Sequence, residues 1–295
     1  MLWETLLLAI RAIRRNVLRS TLTILGIVIG VAAVITMVTL GKGATIQVAS
    51  EIGNLGSNML QVRPGQGFRG PGGARSEASM FKIEDAEAIK DQVTGLEAVA
   101  PLASKGAQAI YGNENWSTVV YGTTDEYLQV RDWLLEGGRS FTPSELHSGK
   151  AVCIIGATVK KELFGGANPL GASIRLGKLS CEVIGVLESK GASAFGSDQD
   201  DFVLIPLRTF QRRIAGNTDV SAVMLSALSG VPTEKVQKDV EQLLRERRRI
   251  SVGEDDDFHV RDMKEIVSTL TGTTRVLTAL LGAVAAVSLD RKSVV

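Results

Sequence analysis

Twenty consecutive residues without a single charge, Thr21 to Leu40 (TLTILGIVIGVAAVITMVTL), constrain this 295-residue chain more than any other feature. At ~1.5 Å of rise per residue they make a helix ~30 Å long, the thickness of a bilayer's hydrocarbon core. In lipid a single segment satisfies its backbone hydrogen bonds only as a helix, so residues 21–41 read as one transmembrane helix. A cleaved signal peptide carries a shorter apolar region, roughly 7–15 residues, ahead of a small-residue cleavage site. Here Gly41-Lys42-Gly43-Ala44-Thr45 follows a longer apolar core, so the expected span is uncleaved.

Charge orients the span. Arg11, Arg14, Arg15 and Arg19 precede it, and Lys42 alone follows within about twenty residues. Basic residues stay on the cytoplasmic side, so the N-terminus is expected in the cytoplasm and everything after Leu40 outside. Within residues 1–20, Leu2, Trp3, Leu6, Leu7, Ile10, Ile13, Val17 and Leu18 recur at three- and four-residue spacing. That pattern suits an amphipathic helix lying on the lipid bilayer in its headgroup layer. An ordinary cytoplasmic extension of the span is the other reading. Gly26 and Gly30 form a GxxxG pair, which lets a second helix approach closely and marks them as helix-packing residues.

Residues 42–270 alternate polar and apolar stretches and are long enough to bury a core. A formal net charge of +1 argues against a nucleic-acid binder, which concentrates basic charge on one surface. Helical periodicity continues from Thr45 to Leu55 and returns at Ser79 to Val93, Asp125 to Asp132, Ala157 to Phe164 and Thr233 to Arg248. Thr142-Pro143-Ser144-Glu145 carries an N-cap, a proline at the first helical position and a glutamate that completes a capping box. Strands are expected at Ser57 to Val62, Leu96 to Leu102, Gly106 to Tyr111, Trp116 to Gly122, Ala151 to Ile155, Ser173 to Leu176, Cys181 to Glu188, Phe202 to Pro206 and Val220 to Ala227. The expected fold is α+β: the N-terminal amphipathic and transmembrane helices, then a two-lobed mixed α/β domain outside the cytoplasm. The two cysteines, Cys153 and Cys181, each sit in a β-like run. They read as small buried apolar side chains, or as a disulfide given an extracytoplasmic domain.

A second apolar run, residues 271–289, includes fourteen uncharged residues after Arg275, or ~21 Å of helix, too short to cross. The charged tail Asp290-Arg291-Lys292-Ser293-Val294-Val295 then interrupts it. The expectation is a natural chain that continues through a second membrane helix, with residues 290–295 foreign to it.

The remaining motifs carry little chemistry. Gly65-Gln66-Gly67-Phe68-Arg69-Gly70 spells GxGxxG, yet Pro71-Gly72-Gly73 follows where a phosphate-receiving helix would have to start, so a flexible loop is expected. Gly41-Lys42-Gly43 lacks the upstream glycine and the hydroxyl residue of a P-loop, so the chain does not hydrolyse ATP by itself in that way. His147 and His259 have no metal-binding context, and Glu254-Asp255-Asp256-Asp257 lacks the glycine and distal glutamate of an EF-hand. Arg245-Glu246-Arg247-Arg248-Arg249 ends a helix, where positive charge complements its dipole; a polyanion site is the sharper alternative. No nucleophile stands with a base. No catalytic, cofactor or metal residues are assigned.

Several stretches taken in order resemble the MacB/FtsX-like ABC-transporter permeases, and in particular their MacB-type periplasmic core domain. They are Arg14-Arg15-Asn16 to Val34, the run Leu55 to Gly65 (LGSNMLQVRPG), Glu84-Asp85-Ala86 and Gly137-Gly138-Arg139-Ser140-Phe141. Ile155-Gly156 to Leu163-Phe164-Gly165, Pro169-Leu170-Gly171, Val183-Ile184-Gly185-Val186 and Asp200-Asp201 to Pro206 complete the series. The resemblance implies a non-catalytic permease subunit of the bacterial inner membrane, paired as a homodimer or with a second permease. It implies a cytoplasmic ABC ATPase that binds the ATP and Mg, a periplasmic adaptor protein as a further partner, and two more membrane helices beyond this chain. ATP-driven changes would pass along the helix carrying Thr45, Gln47, Val48 and Glu51 to the outer domain, for export of substrate. The alternative function is a transmembrane sensory receptor with an extracytoplasmic ligand-binding domain.

Overall fold

In the computed structural model the described residues are 17–55, 58–65, 78–193 and 197–262, with the isolated positions 3, 272, 276, 279 and 280. Two compact units divide the chain, one of residues 1–49 and 267–295, the other of residues 50–266. Helix α1 (Val17–Leu55) is unbroken over 39 residues and contains the uncharged segment. The amphipathic lead lies outside the described residues except at Trp3, Val17 and Leu18, all exposed. The expected second membrane segment and the tail 290–295 also lie outside them, apart from the four isolated positions.

The larger unit continues with β1 (Met59–Pro64), α2 (Ile83–Gln92), β2 (Leu96–Tyr111), β3 (Glu114–Thr123), α3 (Glu126–Val130), β4 (Leu135–Gly138), α4 (Pro143–Ser148), β5 (Val152–Ile155) and α5 (Ala157–Phe164). Then come β6 (Ser173–Leu176), β7 (Leu179–Leu187), β8 (Phe202–Pro206), α6 (Leu207–Phe210) running into a π-turn (Gln211–Ala215), β9 (Ala222–Ala227), α7 (Thr233–Arg248) and β10 (Phe258–Asp262).

Strand β2 organises the sheet. Its first half, from Leu96 to Leu102, pairs antiparallel with β9, which pairs with β1, which pairs with β10. Its second half, from Ala103 to Tyr111, pairs antiparallel with β3. From there β3 runs parallel to β8, β8 antiparallel to β5, β5 parallel to β7 and β7 antiparallel to β6. β6 then returns to β2 at Ala109 and Ile110. The hydrogen bonding thus closes over six strands, which leaves no free edge around that ring; β4 adds to it beside β7.

The burial of each strand follows its place. β5 and β8 lie among neighbours on both sides and are buried at every position, which is why they read as continuous apolar runs. β6 and β7 alternate, with Ile174, Leu176, Cys181 and Val183 inward and Ser173, Arg175, Ser180 and Glu182 outward. One core cluster packs α5 through Val159, Leu163 and Phe164 and unites α2 with α7 through Ile89, Val93, Val236, Val240 and Leu244. The opposite face is covered by Tyr127, Val130, Trp133 and Phe141 over Ile154, Leu187, Phe202 and Leu204.

Three expectations differ from the structure. Helix α2 begins at Ile83, not Ser79, because Phe81 is buried in a bridge with Val220 and the Asp85 carboxylate accepts the Lys82 amide at 2.9 Å to start the helix there. The two strands expected at Leu96 to Leu102 and Gly106 to Tyr111 are a single strand, since the ladder passes without a break through Ala103, Ser104 and Lys105. β4, β10 and the turn from Leu207 to Ala215 were not expected: β4 ends in two glycines, and the turn follows directly on Pro206.

Candidate functional site

Residues singled out for function fall first on α1. Its segment Ser20–Gly41 spans 22 residues with a mean hydropathy of 2.5, or ~33 Å of helix. Leu22, Ile24, Leu25, Val28 and Ile29 are each more than half exposed, a surface that water disfavours and lipid does not. Two of its threonines turn inward on the helix itself: the Thr21 hydroxyl donates to the Val17 carbonyl at 2.7 Å and Thr39 to that of Ile35 at 2.8 Å, as an apolar surrounding requires. Gly26 and Gly30 stand one turn apart, half-buried. Arg19 lies in the first turns of α1, and Thr45, Gln47, Val48 and Glu51 in its last ones; Arg11, Arg14 and Arg15 lie outside the described residues.

In the larger unit the two strongest charge runs meet each other. Arg248 donates to both oxygens of Asp257 at 2.6 Å, Arg245 pairs with Asp256, and Arg247 reaches Asp85 on α2 at 3.0 Å. Arg249 is the left-handed C-cap of α7 at φ 55°. The basic end of α7 is therefore neutralised by the acidic turn after it and by α2, which removes the arrangement a polyanion site would need. The acidic turn is structural for the same reason.

The histidines are far apart in role. His147 Nδ1 lies 2.7 Å from the Pro143 carbonyl one turn back, while His259 Nδ1 lies 2.7 Å from the Gly65 carbonyl. Of the GxGxxG loop only Gly65 is described; its amide donates to the Asp257 carbonyl at 2.7 Å, which ties the start of the loop to the acidic turn. Among the described residues no three His, Cys, Asp or Glu side chains group as metal ligands.

A cavity of about 400 Å³ opens between α2, α4, α6 and the start of α3. Buried Ala86, Val99, Pro101 and Leu207 give it an apolar wall, and the exposed Glu87, Lys90, His147 and Arg208 surround it with charge. Lys90 pairs with Glu126 at 3.0 Å. Burial opposes the ionisation of Glu126, but the Thr124 hydroxyl, its own amide and the Lys90 ammonium outweigh it and bring its pKa down to about 2. Asp125 beside it is raised, by burial first and then by the hydrogen bond and charge of Glu126. The cavity can hold an apolar group beside a fixed ion pair. Its residues come from segments remote in sequence and share no period, so sequence reading did not reach it.

Two of the short stretches that carried the family resemblance supply side-chain contacts that brace the larger unit. Asp200 is buried and accepts the amides of Lys190 and Gly191 at 2.8 and 3.0 Å and the Ser189 hydroxyl, and Asp201 accepts the Trp116 indole at 3.0 Å. Arg139 grips both oxygens of Glu145, at 2.7 and 2.8 Å.

The family model of the MacB-like periplasmic core domain matches residues 20–243. Among curated relatives, the macrolide export ATP-binding/permease protein MacB of Syntrophobacter fumaroxidans is 35% identical, with 95% of this chain and 47% of that protein covered. The proteins of the same name from Chlorobium luteolum and Rhodospirillum rubrum are 36% and 38% identical, over 94% and 97% of this chain and 42% and 43% of theirs. The chain thus spans less than half the length of these relatives. Among solved structures, the periplasmic region of MacB from Actinobacillus actinomycetemcomitans superposes with a TM-score of 0.63 at 24% identity, covering 76% of this chain and 97% of that one. The extracellular domain of the noncanonic ABC-type transporter YknZ from Gram-positive bacteria gives 0.55 at 24% identity, over 69% and 100%. These two likenesses are of fold. With the family model matched over most of its length, the chain belongs to the family of the MacB-like periplasmic core domain.

Proposed function

We propose that this chain is the membrane-anchored permease part of an ABC transporter, with residues 21–41 crossing the bacterial inner membrane and residues 42–270 folded on its outer side. The observation that carries this reading is the union, in one chain, of a 22-residue apolar helix with unburied side chains and a MacB-type core domain. Arg11, Arg14, Arg15 and Arg19 keep the N-terminus in the cytoplasm. The four-stranded part of the sheet around β9 and the closed six-stranded ring are its two lobes.

No residue of this chain performs covalent chemistry in this account. ATP and Mg belong to an ABC ATPase on the cytoplasmic side, a partner chain or a domain fused to the permease, and the names of the curated relatives, which join ATP-binding and permease in one protein, support that link. Gly26 and Gly30 let α1 pack against the helix of a second permease copy in a homodimer. The turns with Thr45, Gln47, Val48 and Glu51 carry the rearrangement outward. ATP binding shifts that equilibrium only by the difference in its free energy between the two packings. A periplasmic adaptor would receive the outer domain's movement, and the substrate would leave the cell by it.

The natural full-length protein, purified from membranes, tests the reading. The expected result is co-purification of an ABC ATPase whose ATP turnover depends on the permease. Purification with a cytoplasmic signalling partner and no ATPase would overturn it in favour of a receptor.

A further inference from the structure

We infer that Cys153 and Cys181 are joined as an intrachain disulfide in the mature protein, an inference that rests on the extracytoplasmic placement proposed above. The two residues lie on adjacent strands of the closed ring. On β5, Cys153 stands opposite Val183 of β7, and Cys181 is two positions earlier on the same strand, so its side chain faces the same side of the sheet. Both belong to the same core cluster, at 0% and 1% exposure. The Cys181 thiol points at Cys153 Sγ from 2.8 Å, and Cys153 Sγ lies 3.5 Å from the Glu182 carbonyl. Bringing the sulfurs to the ~2.05 Å of a bond takes under ~1 Å of side-chain movement.

Other uses of two thiols fit poorly. A zinc site needs four ligands, and among the described residues no further ligating side chain joins the pair. A redox-active pair needs an accessible, acidified thiol, whereas burial pushes the Cys153 thiol well up and shuts both sulfurs away from solvent. Between two free buried thiols and a structural cross-link, the 2.8 Å approach of the sulfurs favours the cross-link, the use to which an oxidising compartment puts buried paired cysteines. It would close the chain from β5 through α5 and β6 to β7, locking the ring where β5 and β7 meet.

The bond forms by exchange with the disulfide of a thiol–disulfide oxidoreductase outside the cytoplasm. One cysteine thiolate attacks that disulfide to give a mixed disulfide, and the second displaces the oxidoreductase thiolate. The products are Cys153–Cys181 and the reduced dithiol, so two electrons pass to the oxidoreductase and two protons are retained by it or by solvent. Because both sulfurs are buried in the folded domain, the exchange belongs to the stage before the ring closes.

The test uses the full-length protein in its native membranes, quenched with N-ethylmaleimide, denatured, digested without reductant and examined by mass spectrometry. The expected result is a linked pair of peptides carrying Cys153 and Cys181, lighter by two hydrogens than their sum, and a melting temperature about 5–10 °C lower after reduction. Recovery of both cysteines as maleimide adducts overturns the inference, as does linkage of either to a second chain. Sidedness is read in parallel on Ser117→Cys, an exposed site, in a Cys153→Ala/Cys181→Ala chain, with a membrane-impermeant maleimide on spheroplasts. Labelling there together with free native thiols overturns the disulfide alone. Labelling only after permeabilisation overturns the outer placement, and the disulfide with it.

Discussion

Gly156 has no room for a side chain: a Cβ there would collide with the Asp200 carbonyl oxygen, a backbone atom that cannot swing away. Its amide meanwhile donates to the Phe202 carbonyl at 3.0 Å, locking the β5–α5 corner onto β8. Gly138 is held at φ 83° with the Ile184 carbonyl against the place of its missing Cβ, so β4 can lie on β7 only if that position is glycine. Gly156→Ala is expected to cost about 1–3 kcal/mol by forcing the corner apart, read as a lower denaturation midpoint; an unchanged midpoint would contradict the crowding argument. Glu145 makes a second residue-scale prediction. The Arg139 guanidinium, against the opposing effect of burial, and then Thr142 and Lys150 hold its carboxyl far below the usual range. A depressed folded pKa means that its stabilisation is whole above the ordinary glutamate value of ~4.3 and is lost as the pH falls through that value toward the folded one. Glu126, at about 2, acts in the same direction. Glu145→Gln should therefore be weaker by about 1–3 kcal/mol near neutral pH, with the gap to the parent closing between roughly pH 5 and pH 2 in denaturation titrations. A gap that stayed constant with pH would contradict it. The Thr142–Glu145 capping box was legible in the sequence because all its partners lie within four residues, and the structure has both of its hydrogen bonds. The grip of Asp200 on the Ser189 turn was not, since nothing in local spacing relates Ser189, just after β7, to Asp200, eleven residues on and just before β8.

Elements with a strong period were readable to their ends, and those without were not. α5 and α7 run over the expected residues because Val159 and Leu163, and Val236, Val240 and Leu244, recur at helical spacing and are buried. β10 carries too little period to be legible, because His259 and Arg261 alternate with only three inward residues behind an acidic turn. α1 is one helix from Val17 to Leu55, in keeping with the helical continuation expected from the span through Leu55. Its proposed role makes the next predictions. Val48→Pro removes a helix hydrogen bond and clashes with the carbonyl four residues back, at ~3 kcal/mol or more, and Gln47→Pro does the same one position earlier. Either should abolish substrate-stimulated ATP turnover in the full-length transporter while the protein still inserts and binds its ATPase. Full stimulation would deny α1 a transmitting role. Gly26→Leu with Gly30→Leu widens the helix contact without altering either soluble partner, so ATP turnover should persist while export falls; unchanged export would exclude close packing at that face.

At the scale of the molecule, the closed ring is what sequence could not announce. Closure depends on β6 returning to β2 across more than sixty residues, and two short pairings, at Ala109 and Ile110, complete it. A ring of strands packed to low exposure has little room to yield, a property on which the proposed transmission would draw. The account turns on ATP hydrolysed in the cytoplasm being felt outside by a paired permease. The most direct test places a spin label at Ser117→Cys, with Cys153→Ala and Cys181→Ala, in the full-length complex in lipid nanodiscs and measures the distance between the two copies by pulsed electron resonance. The prediction is a defined distance in the nucleotide-free state that changes when the ATPase is trapped with ATP and vanadate. The same distance in both states, in a complex that still hydrolyses ATP, would contradict the account.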